Sequence, residues 1–166
     1  MRFLSDKKEV VPFFTGRWYQ FSPSLKDRPQ VKCSKDAFDI FMESWDMDSI
    51  EHIEESKLML LNRSNRVLGI SSLSKGGTTG TVVDIKLLLQ YIIKSNANAI
   101  IMCHNHPSGN LHPSEADIAI TRKVKDSAKL MDIQLLDHFI VIPEGKYYSM
   151  GDEVHLYYRV KVMFGF

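Results

Sequence analysis

The stretch ANAIIMCHNHPSGNLHPSEAD, residues 97–117, carries the densest information in the chain. It opens as a short apolar run bounded by Asn and Pro, the pattern of a buried strand. Pro107, Ser108 and Gly109 then turn the chain. Ser114 stands where a helix N-cap belongs, and Asp117 three residues on completes a capping-box pattern, S-x-x-D. The spacing predicts a third helix from there to about Met131.

The flanking sequence extends the same alternation. KLMLLN (57–62) and RVLGISSL (66–73) read as strands joined by an RSN hairpin turn. Ser34 reads as an N-cap before KDAFDIFMESW, where Ala37, Phe38, Phe41 and Trp45 recur near helical spacing. Asp84 caps a helix through IKLLLQYIIKSN. IQLLDHFIVI (133–142) and KYYSM (146–150) are strands joined at Pro143–Gly145. Helices alternating with strands imply a mixed sheet with helices on both faces, an α/β three-layer sandwich. KGGTTGT (75–81) is a loop whose glycines do not fit the GxxxxGK[ST] phosphate loop. Residues 1–33 form an irregular arm broken by Pro12, Pro23 and Pro29, residues 34–151 the folded domain, and residues 152–166 a tail that reads as an edge strand or a partner-binding segment.

At 166 residues, 44% hydrophobic and 25% charged, the chain has the composition of an ordinary globular domain. No apolar run approaches the ~20 residues of a membrane span, and the N-terminus lacks a signal-peptide pattern. A cytoplasmic protein with no membrane partner is therefore expected. Cys33 and Cys103 suggest no disulfide framework. A net charge of +1 argues against whole-surface nucleic-acid binding. The arm differs: residues 1–35 carry eight Lys/Arg against three Asp/Glu, and Phe3, Phe13, Phe14, Trp18, Tyr19 and Phe21 stand among them. Such an arm suits weak contact with single-stranded nucleic acid, although packing of its aromatics on the domain or on a partner, including a second copy, is the more ordinary expectation.

Side chains alternate along a strand, so His104 and His106 share one side while Asn105 and Cys103 face the other. Asp117 begins a helix face continued by Ile120, Val124 and Met131. A carboxylate on that core-facing side needs a cation or several hydrogen bonds. Two imidazoles and a carboxylate, with a fourth position left to water, are the ligand set of a catalytic zinc site. The ordinary explanations are a surface HxH pair and a purely structural capping box. Amide hydrolysis at zinc also requires a base, and Glu51, Glu54 and Glu55 precede the first strand; these residues alone do not choose among them, and a solvated charge run is the commoner reading. Cys103 is expected to be a small buried residue, His112 a solvated loop residue, and one of Asp137–His138 a partner hydrogen-bonded toward the site or a satisfied buried polar group.

HNHPSGNLHPSEAD resembles the JAMM (JAB/MPN-type) signature HxHPx6SxxD, and more narrowly the RadC-like branch of that superfamily. LLNRSNRVLG, GGTTGTVVD, ANAIIMCHNHPSG and LLDHFIVIPEGKYYS are similar to that branch too, so the likeness covers roughly residues 34–151. The resemblance implies a cytidine-deaminase-like JAB/MPN sandwich and Zn2+ held by His104, His106 and Asp117. It implies a zinc-dependent hydrolase of peptide or isopeptide bonds, in which a glutamate activates the zinc-bound water. The family's glutamate, in a pattern like EEF, aligns with Glu55, with Glu54 as its neighbour and Ser56 in place of the Phe. Ser114 matches the motif serine, expected to donate to a developing oxyanion. The alternative from another class is a DNA-repair-associated accessory or binding protein without protease activity. The three-ligand site favours the enzyme, because a structural zinc site is closed by a fourth residue. A nucleoside-deaminase reading of HIE at 52–54 fails for lack of a following PCxxC.

Overall fold

The computed structural model describes residues 8–9, 18–20, 24, 26–76 and 83–152. In chain order the elements are β1 (Lys8–Glu9), β2 (Trp18–Gln20), α1 (Ser34–Ser44), β3 (Glu55–Leu61), β4 (Val67–Lys75), α2 (Ile85–Ser95), β5 (Ala99–Asn105), α3 (Glu115–Lys129), β6 (Gln134–Val141) and β7 (Tyr147–Ser149). They build a seven-stranded mixed sheet of order β1-β2-β4-β3-β5-β6-β7. Only β5 and β6 run parallel, because α3 carries the chain back between them; every other pair is antiparallel.

Both faces of the sheet are covered, which makes the predicted three-layer α/β/α sandwich. On one face α1 contributes Ala37, Phe38, Ile40 and Phe41 against Met59, Leu61, Ile101, Cys103 and Phe139. On the other, Leu88, Tyr91 and Ile92 of α2 and Val124 and Ala128 of α3 pack on Leu58, Leu60, Ile100, Met102 and Ile140. Odd- and even-numbered residues of β3 and β5 thus serve different cores. At ~25 cal/mol per Å2, a fully buried Leu or Ile in either contributes roughly 1.5–3 kcal/mol.

Local chemistry sets the element ends. Asp84 caps α2, its Oδ1 accepting from the backbone N–H of Lys86 at 2.8 Å and of Leu87 at 3.4 Å. Asn96 closes α2 in the left-handed region at φ 54°, as a short polar side chain permits. Helix α1 is capped at Cys33, one residue earlier than the sequence suggests. The Asp36 carboxylate reaches back to accept from the N–H groups of Lys32 (2.9 Å) and Cys33 (3.2 Å). Helix α3 ends at Lys129, two residues short of the expected Met131; the chain reverses through Asp132 at φ 56°. The arm is not wholly irregular, because β2 pairs with β4 and β1 with β2. The rest of the arm before Ser24, the glycine loop from residue 77 to 82, and the tail from residue 153 lie outside the described residues.

Candidate metal centre

The site forms where the end of β5 meets the start of α3. His104 stands opposite Ser56 of β3 and beside Ile140 of β6, on the face covered by α2 and α3. The ladder continues one residue past the strand, because the His106 N–H donates to the Val141 carbonyl at 2.8 Å. His106 therefore shares the face of His104, while Asn105 points to the opposite core. The cap of α3 brings in the carboxylate: Asp117 Oδ2 accepts from the Ser114 N–H (2.7 Å) and hydroxyl (2.6 Å), and Ser114 Oγ accepts from the Asp117 N–H (3.2 Å). The capping box and the ligand assignment are thus one structure. The box aims the carboxylate at the imidazoles.

The ligand atoms of His104, His106 and Asp117 lie within 4.8 Å of one another. His104 Nε2 is 3.0 Å from His106 Nε2 and 3.1 Å from Asp117 Oδ1, and His106 Nε2 is 3.6 Å from Asp117 Oδ2. Ligands ~2.05 Å from a tetrahedral ion stand about 3.3 Å apart, so these edges bracket that spacing. Hydrogen bonding behind the rings sharpens the point. His106 Nδ1 is 2.6 Å from the Asn110 carbonyl, which can only accept, so Nδ1 carries a proton and Nε2 is the nitrogen that offers a lone pair whenever the ring is neutral. A carboxylate facing two such nitrogens needs positive charge between them, which a metal ion or a ring proton on Nε2 supplies.

The electrostatics agree. Burial opposes ionisation of Asp117, yet hydrogen bonds from His104, His106 and Ser114 outweigh it and hold the carboxyl well below its usual range. The hydrogen bond to Asp117 raises His106 against the opposing effect of burial, helped by the Asn110 carbonyl and by the charges of Asp117 and Glu54. His138, fully buried, is pushed well down by burial and then by His104, and stays neutral. Its Nε2 is 2.9 Å from His104 Nδ1, and its Nδ1 is 2.6 Å from Thr121 Oγ1.

The structure does not bring Glu55 to this centre, which corrects the sequence alignment. Ser56 pairs with His104 and Lys57 with Cys103, so Glu55 shares the face of Lys57, over α1. Its carboxylate accepts from Ser72 Oγ at 2.8 Å and lies 3.7 Å from Lys57 Nζ, both groups buried. Glu54, by the same alternation, belongs to the face of Ser56 and His104. Its carbonyl accepts from the Gly76 N–H at 3.0 Å, which prolongs the β3–β4 ladder, and its charge is felt at His106. Asn105, to which the sequence reading gave no role, pins this segment. Its side chain donates to the carbonyls of Ile50 (2.7 Å) and Ile53 (2.9 Å) and accepts from the Glu55 N–H (2.7 Å).

The remaining candidates fall as follows. The Ser114 hydroxyl hydrogen is committed to Asp117. Cys103 is buried in the α1-side core and His112 is exposed on the loop. Of the Asp137–His138 pair, His138 backs the centre. Asp137 faces away, accepting from Ser149 Oγ (2.6 Å), the Gly151 N–H (2.8 Å) and its neighbour's N–H (2.7 Å). Among the described residues no helix is long and apolar enough to cross a membrane.

An α/β/α sandwich that presents HxH from a strand end and a helix-capping Asp beside it has the architecture of a JAB/MPN-type domain, and its His-His-Asp group could hold a metal ion. The profile of the RadC-like JAB domain matches residues 31–156, and the chain belongs to that family. It is 44% identical over 144 residues to a UPF0758 protein of Flavobacterium johnsoniae, covering 87% of this chain and 61% of that one. A UPF0758 protein of Porphyromonas gingivalis is 41% identical over 100 residues, 60% of this chain and 44% of the relative. One from Desulfitobacterium hafniense is 36% identical over 125 residues, 75% of this chain and 53% of the relative. The chain thus spans between 44% and 61% of the length of these relatives.

Proposed function

We propose that this chain is a zinc-dependent hydrolase of peptide or isopeptide bonds, with Glu54 as its general base. The observation that carries the reading is the triangle of His104 Nε2, His106 Nε2 and Asp117, joined by no fourth His, Cys, Asp or Glu among the described residues. Two neutral nitrogens and one carboxylate oxygen suit zinc, and three protein ligands are the number found in catalytic rather than structural zinc sites. When bound there, the ion supplies Lewis acidity toward a carbonyl oxygen and acidifies water.

The chain's own residues supply the rest. His106 is held in the correct tautomer by the Asn110 carbonyl. Ser114 orients Asp117; a role as oxyanion donor requires its hydroxyl to leave Oδ2, so positioning of the carboxylate is the role that its hydrogen bonds favour. Glu54, on the face of the imidazoles and with its charge felt at His106, removes the proton of the attacking water and returns it to the departing nitrogen. The test is a panel of peptide and isopeptide substrates, comparing wild type with His106→Ala and Glu54→Gln. Cleavage that needs both residues and is abolished by chelation supports the reading. Cleavage equal in all three proteins overturns it.

A further inference from the structure

Behind the centre runs a hydrogen-bonded chain that begins at one candidate ligand and ends at the backbone of another. His104 Nδ1 meets His138 Nε2 at 2.9 Å, His138 Nδ1 meets Thr121 Oγ1 at 2.6 Å, and Thr121 Oγ1 meets the Asp117 carbonyl at 2.5 Å. His104, His138 and Thr121 are all buried. Two neutral imidazoles in contact can share their protons in two ways. In one, His104 carries its proton on Nδ1 and turns an Nε2 lone pair toward Asp117. In the other, both rings flip tautomer and His104 presents an N–H to Asp117 instead. Only the first can bind a metal.

We infer that Thr121 selects between these states, so that its hydroxyl, acting through His138, makes His104 a metal ligand. The hydroxyl has a single hydrogen. Its other two neighbours are the Asp117 carbonyl and, at 3.3 Å, the sulfur of Met150, and neither can donate. Two oxygens 2.5 Å apart need a hydrogen between them and the carbonyl has none, whereas the contact with His138 can be bridged by the ring's own N–H, so the hydroxyl hydrogen goes to the carbonyl. Toward His138 the oxygen can then only accept, so His138 carries its proton on Nδ1 and offers an Nε2 lone pair to His104. That lone pair takes the His104 Nδ1–H and leaves His104 Nε2 bare. The direction of the whole chain follows from a threonine on the buried face of α3, four residues after Asp117. Thr121 and His138 are positioning residues, because neither reaches the centre.

The inference rests on the proposed metal centre, and its test separates the two. Zinc affinity of the full chain is measured by competition with a chromophoric chelator for wild type, Thr121→Val and Thr121→Ser. Imidazole 15N spectra of wild type, metal-free and zinc-loaded, report the tautomers. Partners of metal-bound histidines typically contribute 10–100-fold in affinity. Thr121→Val, which keeps shape and loses the hydroxyl, is expected to weaken zinc binding at least about tenfold, while Thr121→Ser stays within about threefold of wild type. His138 is expected to be protonated at Nδ1 with and without zinc. Wild-type affinity in the Val variant, Val-like affinity in the Ser variant, or protonation of His138 at Nε2 overturns the inference. If wild type takes up no zinc, the metal reading fails instead, and the metal-free spectrum still decides the direction of the chain. The same wild-type spectra decide the matter if Thr121→Val does not fold.

Discussion

Glu54 and Glu55 are adjacent, identical in chemistry and assigned to opposite faces of one sheet, so substituting each in turn separates catalysis from stability. Glu54→Gln removes the proposed base. A general base contributes ~10²–10⁴ in rate, so turnover per folded molecule is expected to fall at least about a hundredfold. Glu55→Gln acts on the other core. Gln still accepts from Ser72, but the buried Lys57 loses the charge of Glu55 3.7 Å away. Removing one partner of a buried pair costs ~3–5 kcal/mol. Lys57 keeps its 2.8 Å bond to the Ser44 carbonyl and its place 4.6 Å from the Trp45 ring centre, which lowers the expected cost to about 2–3 kcal/mol. For a chain of this size that is a melting temperature lower by ~5–10 °C. Turnover per folded molecule is expected to change little. The assay is cleavage of a verified peptide or isopeptide substrate, with thermal unfolding of the same samples. Loss of turnover in Glu55→Gln, with Glu54→Gln fully active, would refute the face assignment.

Three further outcomes follow from other parts of the molecule. Asp137 is raised by burial to about 6, its hydrogen bonds only partly compensating, whereas an unfolded Asp ionises near ~3.9. The native state therefore holds the extra proton between those values, and stability is lost as pH rises through them, by up to ~3 kcal/mol. Asp137→Asn, which can still accept from both N–H groups and donate to Ser149, removes that dependence; identical pH profiles for the two proteins in urea unfolding contradict it. Asn105→Ala removes the side-chain partner of one buried carbonyl, one part-buried carbonyl and one buried N–H and is expected to lower stability by ~2–4 kcal/mol in denaturant unfolding. Nucleic-acid binding through residues 1–33 is expected to be weak and to fall steeply with salt; tight, salt-independent binding to single-stranded oligonucleotides contradicts it.

Much of this was legible in the chain. The three helices, the five long or well-formed strands from β3 to β7, and the HxH–Asp triad follow from caps, apolar runs and spacing. Which glutamate shares the face of the imidazoles was not legible. ESKLMLL is buried at all seven positions, so alternation of polar and apolar residues gives no register. Only the pairing of Ser56 with His104 tells which of two successive glutamates faces the imidazoles, and that pairing joins residues far apart in sequence. Glu55 likewise read as part of a solvated charge run and proves to be enclosed with Lys57 beneath α1. Thr121 gave no signal because a threonine inside a helix is ordinary. Its meaning depends on His138, an imidazole inside an apolar strand seventeen residues away.

The central claim is that His104, His106 and Asp117 hold a metal ion in the folded chain, and metal analysis of the purified protein tests it most directly. About one zinc per chain is expected in the wild type, with loss of most of it in both His104→Ala and Asp117→Ala and each variant still folded. Full zinc retention in both variants would contradict it.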